Sequence, residues 1–423
     1  MLYKILPSYV KDNYSMRRKQ AKIKSYMRLF PSILEHVRQK DKINVVFFVA
    51  NIAMWKNDDL FRLLLASSRF SPYIVSFLYD HHDDVYRKAR QEELHKYFTS
   101  KGFPYIDSYN FDRSEWFDVK SLEPDIIFYA QPYNCGKKEY LIENFWNVSL
   151  FAYIPYCIDM ENINATHNTL LENIAWKLFY PTKYHQKLTE ESCFNKGRNV
   201  AVVGYPSADS LNCKVSITNV AWKDRSKKLK KIIWAPHHSI LESDTLQYSN
   251  FLTLAHDMLC LAERYSDKIQ IAFKPHPILK VKLYGLLDWG QKRTDEYYEK
   301  WENGINTFVA DGEYMDLFLS SDALIHDCST FMAEYLYVCK PVLFMMKDNY
   351  TMPLNEFGNA CLDCHYKGKT IEDIEYFIDK VLIDDGDFML EKRITFLNEN
   401  LLSPKGESVA ETIYSIMCDE FIG

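Results

Sequence analysis

Glycine-rich phosphate loops are missing from this chain. Among its 423 residues and 13 glycines there is no Gly-x-Gly-x-x-Gly run and no Walker-type lysine loop, which argues against dinucleotide and ATP chemistry. Long apolar runs are missing too. The longest, Val45 to Trp55, is interrupted by Asn51 and is too short to span a bilayer, so membrane contact is expected to be peripheral. No apolar stretch follows the first charges, so no secretory leader is expected. The ten cysteines lack any regular spacing, which points to reduced, cytosolic thiols rather than a disulfide framework. There is no internal repeat, low-complexity tract or nucleic-acid-binding module, and the body of the chain is acidic, so nucleic acid is not an expected partner.

What is present is ample apolar material. The hydrophobic fraction is 47%, with 30 Tyr and 26 Phe, enough core for two domains. Charge is unevenly placed. The chain carries −6 overall, yet residues 1–40 hold Lys4, Lys11, Arg17, Arg18, Lys19, Lys22, Lys24, Arg28, Arg38 and Lys40 against only Asp12 and Glu35. A basic end on an acidic body suggests an anionic partner for that end. Residues 8–40 read as helix, with Ile23, Met27, Phe30, Leu34 and Val37 at three- and four-residue steps and Pro31 kinking or restarting it. Its basic face either touches anionic lipid or is a solvated face of a helix packed on the body. Both readings stand.

From residue 43 short apolar runs alternate with amphipathic stretches. Strands are expected at Ile43–Ala50, Tyr73–Leu78, Pro104–Ile106, Asp125–Tyr129, Ser149–Ile154 and Asn199–Val203, with helices from about Asp58 and from Asp83 to about Phe98. A lysine-rich linker is expected over Ser207–Lys231. The rhythm then resumes with strands at Ile232–Ala235, Ile269–Phe273, Thr307–Ala310, Ala323–Ile325 and Pro341–Phe344, and helices near 249–265, 313–320 and 329–339. Strands alternating with helices predict parallel sheets wrapped by helices. The fold class is α/β, two Rossmann-like domains facing a cleft, behind a basic N-terminal helical segment (1–40). The domains are placed at 41–206 and 207–405, with a last helix in 406–423 packing back on the first. Ligands of such sheets lie beyond the carboxyl ends of the strands.

Three polar turns follow three strands of the second half: Pro236-His237-His238-Ser239, Lys274-Pro275-His276-Pro277 and Asp327-Cys328-Ser329-Thr330. Each offers groups that can donate to anionic oxygens. Lys274 adds fixed charge. His276, held between prolines, can donate a hydrogen bond or a proton as charge develops on a departing phosphate. The third turn opens a helix whose N–H groups suit a phosphate, with Glu334 about one turn on for a ribose hydroxyl pair; an ordinary helix cap explains Ser329 and Thr330 equally well. Other clusters are weaker. Cys361-x-x-Cys364-His365 matches a haem-attachment pattern, but nothing suggests export, and no second Cys/His pair has zinc spacing. His81-His82-Asp83-Asp84 reads as a helix start with first-turn carboxylates.

Taken in order, Gly204-Tyr205-Pro206-Ser207-Ala208-Asp209, Ile232-Ile233-Trp234-Ala235-Pro236, Lys274-Pro275-His276-Pro277 and His326-Asp327-Cys328-Ser329-Thr330 with Glu334 resemble the CDP-glycerol glycerophosphotransferase family. These are teichoic-acid and capsule enzymes of the GT-B fold. The resemblance covers about residues 195–345 well and the first half loosely. It implies that His276 serves the donor diphosphate, that Asp327, Ser329 and Thr330 cradle phosphate, and that Glu334 binds ribose. With Pro236, His237, His238 and Lys274 these make up the expected donor site. One departure is clear. Polymerising members carry Trp-His-Gly-Thr-Pro in the first domain, with its His as presumed base. This chain has Tyr153-Ile154-Pro155-Tyr156-Cys157-Ile158-Asp159. Asp159 is taken as the base, with Glu161 and His167 as alternatives.

The expected activity is transfer of glycerol phosphate, or another alditol phosphate, from CDP-glycerol to a hydroxyl of a cell-envelope glycan or lipid-linked acceptor, with release of CMP. No obligatory metal or other cofactor is expected. The enzyme is expected in the cytoplasm, on the inner face of the membrane, held through residues 1–40. The Asn51–Trp55 loop and the 153–161 segment are expected to serve the acceptor. A nucleotide-sugar glycosyltransferase of the same fold and a non-catalytic membrane-associated assembly protein are the alternatives.

Overall fold

The computed structural model describes residues 8–79, 82–133, 136–162, 167–212, 222–223, 228–244, 246–312, 314–347, 353–404 and 406–422. His81 and much of the expected linker lie outside these. The chain divides into two compact units, one of Met1–Ile158, Ile163–Pro206 and Ser403–Gly423, the other of Asp159–Asn162 and Ser207–Leu402.

The first unit holds β1 (Ile43–Val49), β2 (Phe70–Ser76), β3 (Tyr105–Ile106), a small hairpin of β4 (Tyr109–Asn110) and β5 (Glu115–Trp116), β6 (Ile126–Tyr129), β7 (Leu150–Tyr153), β8 (Lys177–Tyr180) and β9 (Val200–Val202). The main sheet is parallel, in the order β3-β2-β1-β6-β7-β8-β9. The second unit holds β10 (Lys230–Ala235), β11 (Ile269–Phe273), β12 (Thr307–Val309), β13 (Ala323–His326), β14 (Val342–Met345) and β15 (Tyr366–Gly368), parallel in the order β12-β11-β10-β13-β14-β15. Leaving the hairpin aside and counting from its own first strand, the first sheet reads 3-2-1-4-5-6-7 and the second 3-2-1-4-5-6. That doubly wound order leaves a crevice beyond strands one and four. In the second unit the crevice falls between β10 and β13.

The strands form because β-branched and aromatic residues run continuously, as sheets covered on both faces require. Lys177–Tyr180 and Tyr366–Gly368 escape the sequence reading because each is short and carries a lysine. The helix Gly290–Asn303 also escapes it. Its buried face is Thr294, Tyr297, Tyr298 and Trp301, a helical stripe made of aromatics rather than aliphatics.

The N-terminal helix runs unbroken over Ser8–Gln39 with Pro31 inside it, so of the expected kink or restart the restart does not occur. Tyr26 before the proline and Ile33 and Val37 after it are all buried in the first unit's core, so packing anchors the helix on both sides of the proline. Two of its lysines are tied to the body: Lys19 Nζ donates to Asn168 O at 2.8 Å and Lys22 pairs with Glu143 at 2.7 Å. Arg17, Lys24 and Arg28 lie exposed beside Met16 and Met27. Gly204, which begins the first motif of the resemblance, has φ +96° and lies where a Cβ would come within 2.9 Å of Val409 Cγ2, so no other residue fits this junction without strain. Among the described residues no helix is long and apolar enough to cross a membrane.

Candidate active site

The site is built outward from the strand ends of the second sheet. Trp234 and Phe273 are direct partners across β10 and β11. Their rings stack at 5.0 Å, and Trp301 packs on Trp234 at 5.3 Å, which makes a stiff aromatic floor. Beyond it the first two turns are joined by backbone bonds. Lys274 N–H donates to Trp234 O at 2.8 Å and His276 N–H to Pro236 O at 3.1 Å. The third turn joins them through Asp327. One carboxylate oxygen accepts from His237 N–H and the other from Asn250 N–H, both at 2.6 Å. Asp327 is therefore a tie between turns and not a phosphate contact: its oxygens are occupied, and a carboxylate repels an anion. Burial pushes its carboxyl up to about 7 against the pull of those two N–H donors.

The three strand-end histidines gather. Ring centroids of His238 lie 4.2 Å from both His237 and His276, and His237 and His276 are 5.5 Å apart. Their hydrogen bonds assign the tautomers. His237 Nδ1 lies 2.8 Å from Ser239 Oγ and accepts from Ser239 N–H at 3.2 Å, while Ser239 Oγ itself accepts from the N–H groups of Tyr248 and Ser249 at 3.0 and 3.2 Å. The serine's own proton therefore goes to Nδ1, and the ring proton of His237 sits on Nε2. His276 caps the helix Pro277–Tyr284, its Nδ1 accepting from Ile278 N–H at 3.2 Å, so it too carries its proton on Nε2. Burial, then the neighbouring His238, then Lys274 and Lys282 hold His276 down at about 3. Burial, His238 and His276 hold His237 at about 2. Both are neutral N–H donors at rest. His276 becomes a proton donor only after an anion raises it.

Lys274 is buried, its Nζ donating to Gly312 O at 2.9 Å. Ser329 and Thr330 occupy the first two positions of the helix Ser329–Glu334. The cap residue is Cys328, which makes no side-chain cap bond, so neither hydroxyl serves as the cap. Glu334 is 1% exposed and belongs to the floor rather than the rim. Burial and then Asp327 push the Cys328 thiol up, with Lys274 opposing them. Pro236, His237, His238, Lys274, His276, Asp327, Ser329, Thr330 and Glu334 are thus brought to one end of one sheet. Sequence reasoning missed Ser239 and Asn250, which orient His237 and Asp327, and Lys282, which pairs with Asp244 below His238. Only Ser239, inside the first turn, was within reach of a motif.

The acceptor-side expectations meet a different structure. Trp55 packs inward on Phe47, Phe61 and Phe98, and Asn51 accepts from Met54 N–H, so the Asn51–Trp55 loop is largely architectural. His167 belongs to the first unit, whereas Asp159 and Glu161 belong to the second. A cavity of about 680 Å³ opens beside the β4–β5 hairpin, lined by Asp107, Tyr109, Phe111, Glu115 and Trp116 among others, and none of the expected site residues lines it. Asp83 caps the helix Asp84–Ser100 through Tyr86 N–H, the helix start expected there. Cys361, Cys364 and His365 are all buried.

Comparison with known proteins bears on the same residues. Residues 156–402 match the family described as CDP-Glycerol:Poly(glycerophosphate) glycerophosphotransferase. No curated protein sequence matches the chain. Among solved structures, a variant of the wall teichoic acid polymerase TagF soaked with CDPG is 12% identical at TM-score 0.59, over 97% of this chain and 98% of that one. The UDP-GlcNAc 2-epimerase of Neisseria meningitidis bound to UDP-GlcNAc is 13% identical at TM-score 0.57, over 89% and 100%. S. aureus MnaA with UDP is 14% identical at TM-score 0.54, over 90% and 96%. At these identities the likeness establishes the fold, α/β of the GT-B class.

Proposed function

This chain belongs to the CDP-glycerol:poly(glycerophosphate) glycerophosphotransferase family, and from that premise we propose that it transfers glycerol phosphate, or a related alditol phosphate, from CDP-glycerol to a hydroxyl of a cell-envelope glycan or lipid-linked acceptor. The observation that carries the reading is the convergence of His237, His238 and His276 with Lys274 and the Ser329–Thr330 turn at the switch point of the second sheet. Two neutral Nε2–H donors and a buried lysine suit a diphosphate. The acceptor oxygen attacks the glycerol-bearing phosphorus in line, and the bond from that phosphorus to the bridging oxygen breaks. CMP departs with the bonding electrons, its new charge met by His276 and Lys274. Ser329 and Thr330 hold phosphate oxygens, and Glu334 holds the ribose edge.

The reading includes no obligatory metal; turnover retained after treatment with EDTA is the expected result. It also places the enzyme against the inner face of the membrane through its basic helix. Deleting that helix is a poor test, since Tyr26, Ile33 and Val37 are part of the core. Arg17→Glu, Lys24→Glu and Arg28→Glu together should weaken sedimentation with phosphatidylglycerol vesicles while sparing soluble turnover.

The deciding experiment incubates the purified chain with CDP-glycerol, CDP-ribitol and UDP-sugars. CMP release from a CDP-alditol alone supports the reading. UDP release from a sugar donor alone turns it into a glycosyltransferase. Tight CDP binding with no turnover of any donor points to a non-catalytic assembly protein.

A further inference from the structure

Four residues of chain, Asp159–Asn162, leave the first unit's sequence and belong to the second. They are held there by strand-like pairing. Glu161 bridges Leu354 in antiparallel fashion, Asn162 N–H donates to Pro353 O at 2.6 Å, and Asn355 N–H donates to Met160 O at 2.9 Å. Asn355 Nδ2 adds a bond to Asp159 O at 3.0 Å, and Gly358 leaves so little room that a Cβ would meet Met160 O at 2.4 Å. The strap is thus fixed to the second unit along its whole length.

Its two carboxylates are used differently. Asp159 Oδ1 accepts from Glu161 N–H at 3.4 Å, a local turn. Glu161 reaches outward: its Oε1 accepts from Tyr248 O–H at 3.2 Å. Tyr248 lies edge-on to His237 at 5.7 Å, and its N–H donates to the Ser239 hydroxyl that orients His237. Glu161 is therefore linked through one side chain to the three-histidine cluster, and it is half-buried rather than sealed. The Tyr248 bond fixes one carboxylate oxygen, Oε1.

We propose that Glu161, and not Asp159, is the base that receives the acceptor's proton, carried to the donor site by the strap. This rests on the phosphotransferase reading above. In the step, the acceptor O–H bond breaks and its proton passes to Glu161 Oε2. The acceptor oxygen bonds to the glycerol-bearing phosphorus, and CMP leaves with the electrons of the broken P–O bond. The proton is then lost to solvent. Tyr248 is a positioning residue that aims the carboxylate. The arrangement gives a physical account of a chain with no histidine in its Tyr153–Asp159 segment.

The test uses full-length enzyme, CDP-glycerol as donor, and glycerol or 2,2,2-trifluoroethanol at high concentration as acceptor. Glu161→Gln should lower kcat with glycerol by about 100-fold, leave the KM for CDP-glycerol within about twofold, and lose far less with trifluoroethanol, whose more acidic hydroxyl needs less help from a base. Glu161→Asp should recover part of the loss. Tyr248→Phe should fall between, and Asp159→Asn should stay within a few-fold of the parent. A merely architectural Glu161 would lower both acceptors equally or raise KM, and either result overturns the assignment, as does a large loss in Asp159→Asn with Glu161→Gln intact. If the parent enzyme releases no CMP with either acceptor, the phosphotransferase reading itself falls, and this inference with it.

Discussion

The carboxyl edge of the first sheet carries phenols where that of the second carries imidazoles. Both sheets have the same strand order up to the sixth strand, so both present a crevice of the same kind. In the first unit the residues at and beyond the ends of β6 and β7 include Tyr129, Tyr133, Tyr153 and Tyr156. The phenols of Tyr129 and Tyr153 are pushed up chiefly by burial, and that of Tyr156 by the neighbouring Cys157 and then burial. They stay protonated and can only orient a hydroxyl. In the second unit burial pushes the other way, because the charged form of an imidazole is the protonated one. The result is a set of neutral donors beside a fixed lysine. Shared topology therefore leaves the chemistry open, and burial acting on a base or on an acid decides it.

The comparison can be broken most sharply by removing the phosphate turn. Ser329→Ala combined with Thr330→Ala should abolish measurable CDP binding by calorimetry, whereas no pair of phenols in the first unit should matter to CDP; retained affinity would move the diphosphate elsewhere. Next in size, His276→Ala should slow CMP release by about 100-fold or more. A tenfold or smaller loss would reduce it to a helix cap, the role its Nδ1 already fills for Ile278 N–H.

Acid sharpens the contrast through stability. His237, His276 and His365 are held at about 2, 3 and 3, and His238 and His326 are also lowered, all chiefly by burial. Below about pH 6.5 an unfolded chain takes up protons that these native imidazoles refuse, so their contribution to stability is lost as pH falls. Asp327, raised to about 7, works in the opposite sense between about 4 and 7, but it is one group against five. The urea midpoint should be lower at pH 5 than at pH 7.5, and a flat profile would mean the imidazoles are hydrated. The smallest effect expected is that of Tyr156→Phe, within about threefold in turnover, since its phenol does not ionise in the working range. A loss as large as that of His276→Ala would transfer the chemistry to the first unit.

The three strand-end turns were legible because each couples a buried β run to a polar break, marked by proline in the first two, and those local signals survive folding. The same holds for the helix start at Asp83. What could not be read were ties across long separations. Asp327 looks like a phosphate-turn residue until its two oxygens are seen on His237 and Asn250 N–H groups. Trp55 looks like an exposed loop aromatic until Phe47, Phe61 and Phe98 close around it. Pro31 looks like a break until the core holds both sides of its helix.

Composition and periodicity by themselves determined that this chain builds two parallel α/β sheets and which turns end their strands, because hydrophobic pattern and turn chemistry act over a few residues. Only the tertiary structure decided which unit the strap Asp159–Asn162 joins, which nitrogen of His237 and of His276 bears its proton, and that these histidines rest neutral. Those outcomes depend on burial and on partners 90 and 196 positions away in the chain, which no local pattern encodes.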